Sequence, residues 1–371
     1  MGPHCMQFPA NVAVVGRGRW ARVILDTLVR HLPATIQLYS CNDGNADGIK
    51  EWIRGVGLDS RIKSATLEAV ALRKRPLAFI VTNATRNHAE AARTAIASGH
   101  PVLVEKPFTT TEASAVALCE LARERSVKLA AAHVFAFARY VTRFAQAVSA
   151  AGPVKTMTVR WADPAEETRY GERKSFDPAV PVFADALPHV LSIVATFLPE
   201  SCFAAHDLTI AHGGRSVVVH LKSGEMILRA ELVRGAHARK RELDVDNASG
   251  SLTLNFSNEP GKIVSGGDTV DGDPRWNVEP RPLATTLLAF LRWAAGGAGD
   301  PRMNPQLAVR ICRTIDQVRE LYLAHQRSWL LEASRGAAVG EEAVQYAVDE
   351  ILAMDELAGE AALQAARRAL R

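Results

Sequence analysis

Three side chains of this sequence stand in patterns that suit proton transfer at a polarised oxygen. Lys106 lies in the tetrapeptide Val-Glu-Lys-Pro, residues 104–107, which ends an apolar run. Asp185 and His189 are four residues apart, so a helix would place both side chains on one face. A lysine can stabilise an oxygen that gains negative charge, and a histidine can exchange a proton near neutral pH. These residue types are typical of general acid–base chemistry.

The Asp185/His189 pair precedes an apolar run, residues 190–194. Proline is tolerated in the first turn of a helix, so Pro188 predicts a helix that begins close to Ala184 or Asp185. From the residues alone, a helix cap at Asp185 and a half-buried structural histidine are favoured over a catalytic pair. The pattern therefore predicts the helix and leaves the role of the pair open.

A glycine-rich turn, Gly-Arg-Gly-Arg-Trp-Ala over residues 16–21, follows a β-branched run and precedes a stretch with helical spacing. Gly16 permits a tight turn, and Gly18 lets a pyrophosphate approach the backbone. The free N–H groups of the helix then meet the anion, with Arg19 and Trp20 beside it. The turn predicts a dinucleotide-binding site.

The residue that would hold the ribose of the dinucleotide follows the second predicted strand, in the run Ser-Cys-Asn-Asp over residues 40–43. Asn42 stands where an acidic residue is typical of NAD binding, while Arg17 and Arg19 would suit the 2′-phosphate of NADP. Exposed arginines in such a turn are also often simply solvated. The cofactor is therefore predicted to be NAD or NADP, with NAD slightly favoured.

Short β-branched runs alternate with longer helical ones in the first third of the chain, which is typical of βαβ units. The predicted strands are residues 12–15, 36–40, 78–82, 102–104 and 128–132, and the predicted helices include residues 90–98 and 112–125. This alternation predicts an α/β fold, a doubly wound parallel Rossmann sheet, for an NAD(P)-binding domain of residues 9–135.

Period-two alternation replaces this pattern after a helical link near residues 136–150. The predicted strands are residues 155–160, 208–211, 216–221, 225–232 and 252–256. Short turns join them without crossover helices. We therefore expect a second, α+β domain over residues 136–332, with a large, mainly antiparallel open sheet that serves substrate binding and oligomerisation.

Other parts of the second domain are predicted from weaker patterns. Residues 261–278 lack periodicity and are expected to form a surface loop, followed by helices over residues 283–293 and 306–325. The basic stretch from Arg234 to Arg241 is predicted to be the surface of an edge strand or hairpin.

The C-terminal tail, residues 333–371, is predicted to be helical. One helical stripe carries four apolar residues, Val344, Val348, Ile351 and Leu352. Such a stripe favours packing on the tail's own chain or on a partner subunit over a direct functional role.

Composition excludes several classes of protein. The net charge of +4, from 44 basic and 40 acidic residues, is too small and too dispersed to indicate nucleic-acid binding. No apolar run reaches the roughly 18 residues of a membrane span, and the first residues lack a secretory core. The five cysteines are scattered without metal-ligand spacing, so no metal site is expected. A cytoplasmic enzyme with a small-molecule substrate is predicted.

The sequence resembles the glucose-fructose oxidoreductase, inositol dehydrogenase and MocA-like oxidoreductase family. The resemblance rests on residues 12–21, residues 80–85 with His88, the block of residues 99–107, and residues 133–137. It implies cofactor contacts from Asn83, Ala84, His88, Glu105 and Lys106, and a Lys106–Pro107 peptide that is commonly cis. It also implies a homodimer or homotetramer formed through the open face of the C-terminal sheet.

The same resemblance changes the interpretation of the Asp185/His189 pair. The family carries an Asp-x-x-x-His signature in its second domain, with the histidine as the usual acid or base and the aspartate on the substrate or the histidine. Oxidation of a secondary alcohol is then expected, with His189 taking the hydroxyl proton while the nicotinamide takes hydride. Lys106 would polarise the oxygen.

The substrate contacts are less well specified. His133, Tyr170 and Arg173 are candidates, and Trp161 could stack on a sugar or uracil ring, although the polar segment that holds most of them also fits a solvated loop. A sugar, sugar nucleotide or polyol is the favoured substrate class. The alternatives are an NADPH-dependent imine or keto reductase of specialised metabolism and, less favoured, a non-catalytic cofactor-binding regulator.

Overall fold

The computed structural model describes residues 8–42, 47–73, 76–169, 172–173, 176–333 and 340–354. The chain divides into two compact units. The first contains residues 1–138 and 278–312, and the second contains residues 139–277 and 313–371.

The strands, in chain order, are Asn11–Val15 (β1), Gln37–Cys41 (β2), Ile62–Ala65 (β3), Leu77–Val81 (β4), Val102–Val104 (β5), Leu129–Ala131 (β6), Val154–Pro164 (β7), Thr168–Arg169 (β8), Glu172–Arg173 (β9), Ala204–Ala211 (β10), Ser216–Ser223 (β11), Met226–Ala236 (β12), Lys240–Asn247 (β13), Gly250–Asn255 (β14), Lys262–Ser265 (β15) and Asp268–Asp271 (β16). The helices are Arg19–His31 (α1), Asp47–Gly55 (α2), Leu67–Ala71 (α3), His88–Ala97 (α4), Glu112–Glu124 (α5), Arg139–Ala150 (α6), Val182–Val194 (α7), Pro282–Ala294 (α8), Pro305–Ala333 (α9) and Glu341–Ala353 (α10).

The first unit is built on a parallel sheet of six strands in the order β3-β2-β1-β4-β5-β6. This is the strand order of a doubly wound Rossmann sheet, so the predicted fold is confirmed. The edge strand β3 was not predicted, because only Ile62 of its four residues is buried and the apolar pattern is correspondingly weak.

Strand β1 is buried on both faces, since helices cover both sides of the parallel sheet. Val12 and Val14 point into one apolar cluster, together with Ile24 of α1. Ala13 and Val15 point into the other, which the helices α3, α4 and α5 complete. An uninterrupted apolar run is therefore the sequence signal of this strand, as predicted.

Helix α8 belongs to the first unit, although residues 278–312 were predicted to be part of the second domain. Its residues Leu287, Phe290 and Leu291 are buried in the same apolar cluster as Ile24 and Leu28 of α1. The chain thus returns to the first unit after the second sheet is complete. The spacing of apolar residues indicates that a helix has an apolar face, but it does not indicate against which core that face packs.

The second unit is built on an eight-stranded sheet in the order β10-β11-β12-β7-β13-β14-β15-β16. Every neighbouring pair is antiparallel except β7 with β12. The mainly antiparallel sheet is therefore confirmed. Strands β15 and β16 form a hairpin at one edge, so the prediction of a loop over residues 261–278 is wrong. Each of these strands has only four residues and is largely polar, so an alternation of buried and exposed residues could not be recognised in the sequence.

The two faces of this sheet differ in character. On one face of the central strand β7, Met157, Val159 and Trp161 are buried. On the other face Arg160 is ion-paired with Glu242 at 2.9 Å and with Asp244, and it remains about one-third exposed at 34%. The alternation that predicted β7 thus separates an apolar face from a charged one.

The prediction that the basic stretch is an exposed edge or hairpin surface is wrong for its two most buried members. Arg234 lies on β12 and Arg241 on β13, and both strands are direct neighbours of β7 in the middle of the sheet. The residues are only 6% and 3% exposed. Buried guanidinium groups require acceptors around them, and those acceptors come from several separate segments.

The tail helix α10 packs on its own chain. Val344, Val348 and Ile351 form an apolar cluster with Leu330 of α9, whereas Leu352 of the predicted stripe is 42% exposed. No helix among the described residues is both long enough and apolar enough to span a membrane.

Candidate active site

The glycine-rich turn begins directly after β1. The backbone conformation at its first position, Gly16, is unfavourable for any residue with a side chain. Gly16 is buried and has φ of +146°, and a Cβ there would lie 2.9 Å from the carbonyl oxygen of Thr82. That carbonyl follows the neighbouring strand β4. The close approach brings the ends of β1 and β4 together, at the point where the strand order of a doubly wound sheet reverses.

The second glycine leaves an open space at the start of α1. Gly18 is the N-cap residue and has no side chain that could cap the helix, and the first turn of the helix contains no acidic residue. A Cβ on Gly18 would meet nothing within 4 Å. Because the first N–H groups of a helix lack partners within it, this end of α1 fits an anion such as a pyrophosphate.

Polar atoms at the ends of β4 and β5 complete a site that fits a dinucleotide. Among the described residues, the Oγ1 of Thr82, the Oδ1 of Asn83 and the Oε1 of Glu105 are buried and make no hydrogen bond. Buried polar atoms without partners are costly, so a bound polar ligand would stabilise this arrangement. Ala84 follows directly and caps a short turn over Thr85–Asn87.

Glu105 connects the β5 loop to the glycine-rich turn. It is 4% exposed; burial raises the pKa of its carboxyl group, while the hydrogen bond from Trp20 and the charge of Lys106 act in the opposite direction. The backbone N–H of Lys106 also donates to its Oε2 at 3.2 Å. Lys106 itself is half-buried, and its peptide bond to Pro107 is cis, as the resemblance implied.

His88 holds the two loops of this edge together. Its Nδ1 lies 2.8 Å from the carbonyl oxygen of Pro107, and its Nε2 lies 3.0 Å from that of Asn83. The ring is buried, and burial lowers its pKa against the opposing effect of these hydrogen bonds. The structure therefore gives His88 the position of a clamp between the loops after β4 and β5, which motif spacing could not indicate.

Asn42, predicted to face the ribose, turns toward the protein instead. With its amide oxygen toward Ser40, the amide nitrogen donates to the carbonyl oxygen of Gly16 at 3.0 Å and to that of Cys41 at 3.3 Å. The side chain is 7% exposed. Its hydrogen-bonding capacity is therefore used to brace the glycine-rich turn. Asp43, the next residue, lies outside the described residues.

Helix α7 carries Asp185 and His189 in the second unit. The helix begins at Val182, after Pro181, so the predicted start near residue 184 or 185 is wrong and Asp185 is not a cap. Pro188 consequently lies inside the helix, where it cannot donate to the carbonyl of the preceding turn. The predicted common face of Asp185 and His189 follows from their helical spacing.

His189 is supported by an aromatic ring. Its imidazole stacks on the indole of Trp161, with ring centres 5.4 Å apart and an angle of 18° between the planes. The guanidinium of Arg241 lies 3.9 Å from the centre of the same indole and is ion-paired with Asp163. Trp161 is 4% exposed, so the structure makes it a support for the histidine and not a platform for a sugar.

Asp185 is paired with a buried arginine. The guanidinium of Arg234 lies 3.8 Å from its carboxylate and donates to the carbonyl oxygen of Val180 at 2.8 Å. Burial opposes the charge of Arg234, but attraction from Asp185, together with two groups of the tail helix, raises its pKa overall.

The predicted substrate residues fall in three different settings. His133 follows β6, is 4% exposed, has an Nε2 atom without a partner among the described residues, and has its pKa lowered to about 4 by burial. Arg173 is on β9, where it forms an exposed ion pair with Glu166 at 2.7 Å. Tyr170 lies outside the described residues. Their substrate roles stay predictions.

Within the described parts of the chain, no group of three or more His, Cys, Asp or Glu residues is placed to hold a metal ion. The cysteines at positions 41, 119, 202 and 312 form no disulfide bond with one another.

Comparison with protein families identifies the domain that carries the glycine-rich turn. Residues 10–133 match a family model described as an oxidoreductase family with an NAD-binding Rossmann fold. The matching model is named GFO_IDH_MocA. The matched segment contains the Gly16–Gly18 turn, the His88 clamp and Lys106. No curated protein matches the sequence.

Solved structures share the fold at low sequence identity. The UDP-N-acetylglucosamine 3-dehydrogenase GnnA from Acidithiobacillus ferrooxidans has a TM-score of 0.67 and 18% identity over 84% of this chain and 97% of its own. The same values hold for KijD10, a 3-ketoreductase from Actinomadura kijaniata, solved with TDP-benzene and NADP. Biliverdin reductase from Synechocystis, with biliverdin and NADP+, has a TM-score of 0.63 and 15% identity over 84% of this chain and 99% of its own.

Substituting the two glycines separates folding from cofactor binding. Gly16→Ala is expected to lower the free energy of unfolding by about 1–3 kcal/mol, because a side chain is strained at φ of +146° and would press on Thr82. Gly18→Ala, at φ of −76°, is expected to change that free energy by less than about 1 kcal/mol but to weaken cofactor binding. Denaturant unfolding and titration with NADH and NADPH measure the two effects. Undiminished binding by Gly18→Ala would contradict the proposed pyrophosphate position.

Replacing the His88 clamp tests whether it aligns the cofactor loops. His88→Ala is expected to cost about 2–4 kcal/mol of unfolding free energy and to weaken NAD(P)H binding, since both loops lose their tie. His100→Ala is the matched control, because His100 also bonds a backbone carbonyl, that of Ala71 at 2.9 Å, but precedes β5 at the other end of that strand. The control should lose stability and keep cofactor affinity. Equal loss of affinity in both variants would show that the effect is general.

Proposed function

We propose that this protein is an NAD(P)-dependent oxidoreductase that moves hydride between nicotinamide and a secondary alcohol or ketone carbon of a sugar, sugar nucleotide or polyol. The observation that carries the proposal is the open N-terminus of α1 above Gly18, in a Rossmann domain matched to an oxidoreductase family. The unpartnered polar atoms of Thr82, Asn83 and Glu105 on the same sheet edge support it.

In this proposal Lys106 polarises the reacting oxygen. A half-buried ammonium stabilises negative charge on that oxygen more strongly than a fully solvated one, because less water screens it. The bond from its own backbone N–H to Glu105, together with the His88 contact to Pro107, orients the lysine segment. The bound nicotinamide would supply the hydride acceptor or donor at C4.

His189 exchanges the hydroxyl proton. During alcohol oxidation its neutral ring accepts the proton, and during ketone reduction the protonated ring donates it. The stack on Trp161 fixes the plane of the imidazole, so the ring nitrogens have a defined direction. Asp185, one helical turn away, stabilises the positive charge that the ring acquires.

The printed names of two structural neighbours support the proposed reaction. One is named a UDP-N-acetylglucosamine 3-dehydrogenase and the other a 3-ketoreductase, so both names place the chemistry at a hydroxyl or keto position. The preference between NAD and NADP depends on the region after β2, where Asn42 braces Gly16. We propose that the absence of a carboxylate at position 42 allows both cofactors to bind. Separate dissociation constants for NADH and NADPH test this point, and a large preference for either would refute it.

Removing the two proposed chemical groups should reduce turnover without abolishing cofactor binding. With UDP- or TDP-linked sugars as substrates, we expect His189→Ala to lower kcat by roughly 10²–10⁴-fold and Lys106→Ala by about 10²–10³-fold. Steady-state consumption or formation of NAD(P)H gives the rates. The controls Lys63→Ala and His206→Ala remove the same groups from exposed positions and should be silent. Wild-type turnover in either catalytic variant would overturn its assignment.

We also propose that the charged face of the eight-stranded sheet forms a homodimer or homotetramer. Support comes from the partly exposed ladder of Arg160 with Glu242 and Asp244, whose alternating charges are suited to a symmetric contact. Light scattering after gel filtration should give two or four times the subunit mass of 40.2 kDa. Arg160→Glu should dissociate the assembly, whereas Arg30→Glu, on α1 of the first unit, should not. A monomeric wild type would refute the proposal.

A further inference from the structure

A buried carboxylate of the tail helix lies at the centre of a polar cluster that the proposed chemistry has not yet used. Glu350 of α10 is 2% exposed. The hydroxyl of Tyr322 donates to its Oε2, and the hydroxyl of Tyr346 lies 3.3 Å from its Oε1. Gln326 donates to the Tyr322 hydroxyl at 2.8 Å and to the carbonyl of Gly213 at 2.8 Å. Both carboxylate oxygens therefore have defined partners.

Arg234 connects this cluster to Asp185. One terminal nitrogen of its guanidinium donates to the Tyr346 hydroxyl at 3.4 Å, and the other lies 3.8 Å from the Asp185 carboxylate. The group also lies over the ring of Phe176, 4.7 Å from its centre. A single buried guanidinium is thus shared between α7, which carries the proposed proton-transfer histidine, and the tail helix.

Two glycines allow the tail helix α10 to pack closely against the turn at residues 212–214. A Cβ on Gly214 would overlap the Tyr322 hydroxyl and come within 3.0 Å of a Glu350 oxygen. A Cβ on Gly213 would overlap the backbone of Ala343 in α10. Since both positions exclude any larger residue, the close contact of α10 with the turn at residues 212–214 is built into the fold.

We propose that Glu350 and Tyr346 are positioning residues for the Asp185/His189 pair and that they act through Arg234. The inference rests on the proposed function and assigns the tail helix a role in it. With Glu350 ionised, the positive charge of Arg234 is balanced from both sides. With Glu350 neutral, Asp185 alone balances it, so less negative potential reaches His189.

The charge of Glu350 changes in the range where the enzyme would work. Burial raises its pKa to about 7, and the hydrogen bonds from Tyr322 and Tyr346 and the charge of Arg234 limit that rise. The groups that face it are Tyr322 and Gln326 from α9, Tyr346 from its own helix, and Arg234 from β12. At the rim, Arg215 pairs with Glu342 at 2.6 Å.

Glu350→Gln in the full-length protein is the central test. Glutamine has the same shape as glutamate, and its amide oxygen can still accept from a tyrosine hydroxyl in this buried position, so the variant is expected to fold. The expected result is a titration midpoint of the His189 ring that moves to lower pH by at most roughly half a unit, because Glu350 with a pKa of about 7 is only partly ionised near the ordinary pKa of an imidazole. Glu341→Gln, which removes the same charge from the exposed start of the same helix, should leave the midpoint unchanged.

Two measurements record the effect. NMR of protein labelled at histidine, with the His189 signal assigned by its loss in His189→Ala, follows the titration without any substrate. The acidic limb of kcat/KM for alcohol oxidation should move in the same direction, because the same ring is the base. Tyr346→Phe removes the hydroxyl between Arg234 and Glu350 and should shift the midpoint in the same direction. If Glu350→Gln does not fold, the Tyr346→Phe variant tests the inference in its place.

The inference is overturned if Glu350→Gln and Tyr346→Phe both leave the His189 titration at its wild-type midpoint. The same holds if the exposed control Glu341→Gln shifts it equally. Failure of the proposed function has a different signature: Lys106→Ala and His189→Ala would then retain turnover, whatever the NMR titration shows.

Discussion

A guanidinium group buried among apolar side chains must be surrounded by acceptors and opposite charges, and the second unit is organised around two of them. Arg241 is satisfied by Asp163, the carbonyl of Ala162 and the face of Trp161. Arg234 is satisfied by the carbonyl of Val180, by Asp185 and by Tyr346. These partners come from β7, from the segment just before α7, from α7 itself and from α10, so the two arginines connect these segments on the apolar face of the sheet.

This arrangement gives His189 its setting. The ring stacks on an indole that is itself held against Arg241, and it lies one helical turn from a carboxylate held by Arg234. Orientation and charge are therefore supplied by neighbours that would not touch a substrate. Precise orientation of an acid–base group is a large part of its catalytic contribution, because a small displacement lengthens the proton transfer.

The first unit differs from the second because its sheet edge carries polar groups that fit a ligand. Gly16 lets two strand ends approach closely, Gly18 leaves space at a helix N-terminus, and Asn42 is turned inward to brace the turn. His88 ties the loops after β4 and β5, one of which carries Lys106. Among the described residues, the result is an edge with space at a helix N-terminus and with buried oxygens that make no hydrogen bond, which suits an anionic dinucleotide.

Features that depend on residues close together in the chain could be predicted from the amino-acid sequence. Apolar runs and their periods predicted the parallel sheet, the mainly antiparallel sheet and the helix that carries Asp185 and His189, because burial follows the repeat of each element. The glycine-rich turn predicted a dinucleotide-binding site, and the resemblance to an oxidoreductase family rested on that turn together with three further segments. The burial of Arg234 could also have been predicted, because Arg234 continues the alternation of the buried residues Leu228, Ala230 and Leu232. Its charge instead favoured the prediction of an exposed position.

Which distant segments share a core or an ion pair became known from the folded arrangement of the chain. It assigned α8 to the first unit, turned Trp161 from a candidate substrate platform into a support, and connected Glu350 of the tail to Asp185 through Arg234. The physical reason is that a buried charge interacts with the groups that are close to it in space. Because α7 and α10 are far apart in the chain, the periodicity of the sequence contains no information on their pairing.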